Sequence, residues 1–212
     1  MIQPFFFVHF ILKKHFHSSL ISPKFAIHQK TQLMEFGSIL ISENAANSEN
    51  PQDVINSNIS IVNLMREEKI DDEDIHTDAL MSYYLDFYTA QCSQGNFAQF
   101  VYNSGWNKEL NELIEEALKI IGAPKHLEFF KEQCRKMRLM SSVKLGKFLK
   151  GKLDGVNPIR DAINNDAFSE IDENLTELNA SFLKNHPDTQ ILPVDSIFEL
   201  LEDYLEREIK RN

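Results

Sequence analysis

Carboxylates are the side chains whose types and spacing in this chain point to chemistry. Asp166, Glu170, Glu173 and Glu177 recur at i, i+4, i+7 and i+11. On one helix they form a single stripe, spanning roughly 16 Å at 1.5 Å rise per residue. Glu199, Glu202, Asp203 and Glu206 form a second stripe, and Glu109, Glu112, Glu115 and Glu116 a third. Like charges at i, i+4 destabilise a helix by a few tenths of a kcal/mol per pair, so folding alone does not select them. Phosphates of one DNA strand lie about 3.4 Å apart along the axis. Several acidic helices side by side approximate that charge spacing for a surface built to grip phosphates. The ordinary reading of an acidic face is solvated surface that serves solubility.

Other chemistry is sparse. Asp71-Asp72-Glu73-Asp74-Ile75-His76-Thr77-Asp78 offers oxygen ligands, but lacks the glycine and the terminal bidentate glutamate of a calcium loop. His76 has no further nitrogen or sulfur donor nearby in sequence, as a zinc ligand would want. The segment is expected to be a solvated acidic loop, with no metal site and no cofactor. There is no glycine-rich phosphate loop, no Gly-x-Ser-x-Gly elbow and no His-Glu-x-x-His. Cys92 and Cys134 lack flanking histidines and read as small buried hydrophobes of a reducing compartment. No catalytic residue is expected, so the chain reads as a binding protein and not an enzyme.

Charge is unevenly distributed. The 212 residues carry a formal net charge of −10. Residues 34–130 hold 5 basic and 17 acidic side chains, 131–152 hold 8 and 1, and 153–212 hold 5 and 14. That balance disfavours nucleic acid and anionic membrane as partners and favours a basic protein. The basic run Lys131, Arg135, Lys136, Arg138, Lys144, Lys147, Lys150 and Lys152 is the one feature that argues for phosphate. It lacks interleaved aromatics for stacking. Pairing with the acidic helices, or across the interface of a homodimer, accounts for it better. Residues 1–33 contain four lysines and no acid. Their apolar run Phe5–Leu12 is far shorter than the about 20 residues that span a bilayer. It lacks the flanks of a secretory signal. They read as an upstream extension, with Met34 as the physiological start of a cytoplasmic protein.

The elements that would position these groups are helical. Asn50-Pro51 starts a helix with Ile55, Ile59 and Val62 inward. A second, from about Asp74 to Cys92, packs Leu80, Tyr84, Phe87 and Tyr88. Gly95 suits a left-handed C-cap, and Phe97, Phe100 and Val101 make a short buried turn. Gln99 and Asn103 are placed to satisfy backbone groups at the next bend. Asn107 caps a helix closed by Gly122 and Pro124. Helices follow around Leu127–Met137 and Ser141–Lys152, then a short one from Pro158, a longer one ending near His186-Pro187, and a last one from Asp195 or Ser196. No strand alternation is evident. The expected architecture is all-α: residues 34–212 as one compact domain of about eight to ten helices joined by short loops.

The stretch Gly95-Asn96-Phe97-Ala98-Gln99-Phe100, with Asn103 and Gly105, precedes a helix ending Ile120-Ile121-Gly122-Ala123. With the closing Phe182-Leu183-Lys184-Asn185-His186-Pro187 it resembles the bacterial DNA-mimic protein family, over about residues 80–187. Asn96 departs from that family, where a second glycine is common. The resemblance implies a small helical domain whose carboxylates stand in for phosphates. It implies a basic DNA-binding protein, such as a transcription regulator, as the partner whose access to DNA is blocked. The twelve stripe residues named above would carry that contact. An immunity or antitoxin-like inhibitor of a basic toxin is the alternative, and a small metal-dependent hydrolase built on 71–78 a third.

Overall fold

The computed structural model describes residues 36–211; the 1–33 extension and Met34 lie outside the described residues. The order is β1 (Ile39–Ser42), α1 (Glu43–Ala46), α2 (Pro51–Glu67), a 3-10 turn (Asp72–Asp74), α3 (Thr77–Ser104), α4 (Lys108–Ile120), α5 (Pro124–Arg138), α6 (Ser142–Lys150), α7 (Pro158–Ile163), a second 3-10 turn (Asp166–Glu170), α8 (Leu175–Asn185), β2 (Thr189–Leu192) and α9 (Val194–Leu205). The helical expectation holds. Most helices start where a side chain caps them: Asn50, Asn107, Ser141, Asn157 and Asn174 each accept a first-turn N–H.

The sheet was not expected. β1 and β2 pair in parallel, Ile39 opposite Thr189 through Ser42 opposite Leu192. Ile39, Leu40 and Ile41 are all buried. A short apolar run buried on both faces shows no alternation and cannot be told from buried helix by periodicity. The pair ties the start of the described chain to the segment between α8 and α9.

The core is built around α3. Tyr88, Phe97, Phe100 and Phe130 are fully buried, and their rings meet edge-on or tilted at 5.1–6.3 Å, a favoured aromatic geometry. α2 packs on α3 and α8, and α4 packs between α3 and α5. Two buried amides lock helices together: Asn58 donates to the Ala79 carbonyl, and Asn179 to that of Ser82.

The break in α3 differs in detail from expectation. Asn96, not Gly95, takes the positive φ, at 65°. Its carboxamide oxygen accepts the N–H of Asn165 at 2.8 Å, and its amide donates to Asp166 at 2.7 Å. Gly95 is needed for space: a Cβ there would lie 1.8 Å from Gln99 Oε1 and 2.8 Å from Gln99 Cβ. Gln99 and Asn103 both donate to the side-chain oxygen of buried Gln91, not to backbone groups.

Candidate functional site

α9 presents the cleanest acidic face. Ile197 and Leu201 are buried and fix its orientation against β1. Glu199, Asp203 and Glu206 are then exposed, and no basic residue lies within the helix. Glu202 is half-buried and accepts Ile209 N–H at 3.0 Å, and with Asp195 it pairs with Arg211. Glu206 closes the helix in the left-handed region, φ 54°.

The fold brings a second acidic segment to the C-terminal end of α9. Arg207 pairs with Glu68 at 2.5 Å and donates to its carbonyl at 2.9 Å. Phe36 packs edge-on against Tyr204, and its N–H donates to the Asp74 carbonyl. Burial, then the Asp74 charge, pushes the Tyr204 phenol up. The loop is held by Arg66, which forks onto both Asp72 oxygens at 2.7 and 2.9 Å and donates to Tyr84. Burial opposes the Arg66 charge, but those bonds outweigh it and hold the guanidinium protonated. Glu67, Asp71 and Glu73 stay exposed. Among the described residues, none of Glu67, Asp71, Glu73, Glu199 and Asp203 has an ion pair. Sequence reading missed this junction because its halves are far apart in the chain.

The other two expected stripes fare differently. Asp166, Glu170, Glu173 and Glu177 do not share a helix. Asp166 and Glu170 bound a 3-10 turn, the chain is extended at Ile171, and Asn174 caps a new helix that begins at Leu175. Glu173 is not a free surface charge: its carboxylate accepts the N–H groups of Lys125 and His126 at 3.0 Å, capping α5. Asp172 pairs with Lys125. His126 is buried; its Nε2 contacts the Glu173 carbonyl at 3.1 Å, and burial pulls its pKa down despite that bond. The α4 stripe is regular but neutralised. Glu112 pairs with Lys108, Glu116 with Lys119, and Glu115 with both Lys119 and Lys131. Only Glu109 of that stripe lacks an ion pair among the described residues.

The family model of the DMP19-like protein matches residues 73–208. The chain belongs to the DMP19-like family. This is the DNA-mimic family that the motif around Phe97 resembles. Neither the curated proteins nor the solved structures contain a match to the chain. The matched segment of this DMP19-like protein runs from the acidic loop through the whole of α9, farther than the 80–187 resemblance at both ends.

Among the described residues the basic run of the DMP19-like chain is largely unpaired, so the expected pairing with the acidic helices reaches only Lys131. Lys131 and Lys136 have ion-pair partners, Glu115 and Glu132. Arg135, Arg138, Lys144, Lys147, Lys150 and Lys152 have none among the described residues. Leu139 and Val143 lie among them, 85% and 69% exposed. Cys92 and Cys134 are free and buried, as expected, and burial pushes the Cys134 thiol up to about 12. Among the described residues no helix is long and apolar enough to cross a membrane. The reading of 71–78 as solvated loop fails at its end, where His76 and Asp78 are half-buried against His186.

Proposed function

We propose that this protein is an acidic DNA mimic that acts by occupancy, not catalysis. The carboxylates of α9 and the 67–74 loop sit where phosphates would sit, and the DNA-binding surface of a basic protein closes on them. One observation carries the reading beyond family membership: among the described residues, the junction's exposed carboxylates lack the compensating cations that α4 has. Glu199 and Asp203 are one helical turn apart, about 6 Å along the axis. This is an interval that a row of lysines and arginines shaped to follow phosphates can track. The placement of Glu202, Asp203 and Glu206 supports the same reading. They crowd the C-terminal end of α9, where the helix dipole is already negative and acids are unfavourable.

The partner is proposed to be a basic DNA-binding protein of the transcription-regulator kind, and the site is proposed to be Glu67, Asp71, Glu73, Glu199, Asp203 and Glu206. The test is affinity capture from a cell extract on immobilised chain. A captured basic protein should be released by duplex DNA and by raised salt, because the screening length between exposed charges, about 8 Å at physiological ionic strength, shrinks as salt rises. The Glu73→Lys, Glu199→Lys, Asp203→Lys chain should capture nothing. Capture that resists both DNA and these reversals defeats the proposal.

A further inference from the structure

Two segments distant in sequence share one pattern, a histidine with an aspartate two residues on: His76-Thr77-Asp78 and His186-Pro187-Asp188. The fold crosses them. His186 Nε2 lies 2.8 Å from Asp78 Oδ2, and His76 Nε2 lies 3.4 Å from Asp188 Oδ2. The two rings meet edge-on at 5.3 Å. One ligand atom from each of His76, Asp78 and His186 falls within 4.8 Å of the other two. The histidine side chains are 14% and 11% exposed, and Asp188, at 53%, leaves one side open to solvent.

We propose that this quartet is a divalent-cation site of the zinc class. His76, Asp78 and His186 are its three inner ligands, and Asp188 fills the fourth position. Two imidazoles select a borderline ion such as zinc over calcium or magnesium, which take oxygen. Ligands at 2.0–2.2 Å around a tetrahedral ion stand roughly 3.4 Å apart. The separations of 2.8, 3.4 and at most 4.8 Å bracket that figure, so small side-chain shifts close the site.

Without the ion the quartet is a hydrogen-bonded network. Each histidine Nδ1 accepts the N–H of the aspartate two residues on, at 3.2 Å, which leaves each Nε2 facing the opposite carboxylate. Coordination through Nε2 puts the ring proton on Nδ1 and releases both backbone N–H groups. Their contacts lie at the long end of the hydrogen-bond range, so little is lost against a metal–ligand set. The site lies at a seam: Asp78 is in the first turn of α3, and the Asp188 carbonyl accepts Ile39 N–H at the start of the sheet. A bound ion would pin the start of α3 to the β1–β2 pair, a stabilising role independent of the proposed partner.

The test uses the full chain stripped by chelator and titrated with zinc chloride. One ion per chain should bind with sub-micromolar affinity. Cobalt should give the visible absorption of a four-coordinate ion, and millimolar calcium or magnesium should not compete. The amide resonances of Asp78 and Asp188 should shift as zinc is added. His186→Gln should weaken zinc by at least about 100-fold, since ligand loss should exceed the 10–100-fold cost of losing an outer-shell partner. The exposed Asp188→Asn should weaken it about tenfold with the fold intact. Absence of saturable zinc binding, or zinc affinity that survives His186→Gln and Asp188→Asn alike, overturns the proposal.

Discussion

α4 and α9 are both amphipathic helices with a row of glutamates and aspartates on the outer face, yet they present opposite problems to a partner. In α4 each glutamate except Glu109 has a lysine within reach, two of those lysines on the same helix. In α9 the helix supplies no cation, and among the described residues only Arg211, beyond its end, reaches back to Asp195 and Glu202. Equal spacing of carboxylates therefore does not mean equal field. A basic surface approaching α4 must compete with lysines already in place. One approaching α9 meets Glu199 and Asp203, which have no ion pair among the described residues, and the 67–74 loop adds to their number.

The largest test of that difference is the triple reversal Glu73→Lys, Glu199→Lys, Asp203→Lys. Each removes one unpaired exposed anion and sets a cation against the partner's cations. Binding, measured by calorimetry with the captured partner, should fall by more than about 100-fold, because like charges juxtaposed across an interface cost several kcal/mol. Glu173→Ala should separate a structural carboxylate from the binding ones. Losing the cap on Lys125 and His126 should cost about 1–2 kcal/mol in urea unfolding, while affinity for the partner stays unchanged.

Asp203→Lys alone should move stability the other way. A cation replacing an anion in the last turn of α9 favours the helix dipole, by about 0.3–1 kcal/mol. A variant that is more stable and binds less well would locate the reason for the acid in binding, not folding. The smallest effect is expected from Glu112→Lys. It breaks one exposed pair with Lys108, worth about 0.3–0.5 kcal/mol, and should leave partner affinity within about threefold if α4 lies outside the contact. A large loss there would merge the two helices into one surface.

Much of this was legible in the sequence, and the misses have identifiable causes. The helix starts at Asn50, Asn107 and Ser141 were readable because a capping side chain acts locally. The α9 stripe was readable because its apolar positions Ile197 and Leu201 fix its outer face. The 166–177 stripe was misread because Asn174 followed by Glu177 is itself a helix-start signal, which competes with the i, i+4 pattern of acids across it. β1 and β2 were missed because four-residue strands carry no period. The Arg207–Glu68 junction and the crossing of His76 with His186 are products of tertiary packing, and nothing local announces them. The basic run was expected to find partners in the acidic helices. Among the described residues the fold brings only Lys131 of that run to α4, at Glu115, beside Lys108 and Lys119 of the helix itself, and leaves Lys144, Lys147 and Lys150 exposed.

The most direct measurement is a competition. A labelled duplex DNA is bound to the captured partner, and the chain is titrated in while fluorescence anisotropy is followed at physiological salt. Occupancy of the DNA-binding surface predicts that anisotropy falls to the value of free DNA as the chain saturates the partner. The triple-reversed chain should leave it unchanged. A rise in anisotropy, meaning that DNA, partner and chain form one complex together, would contradict the account.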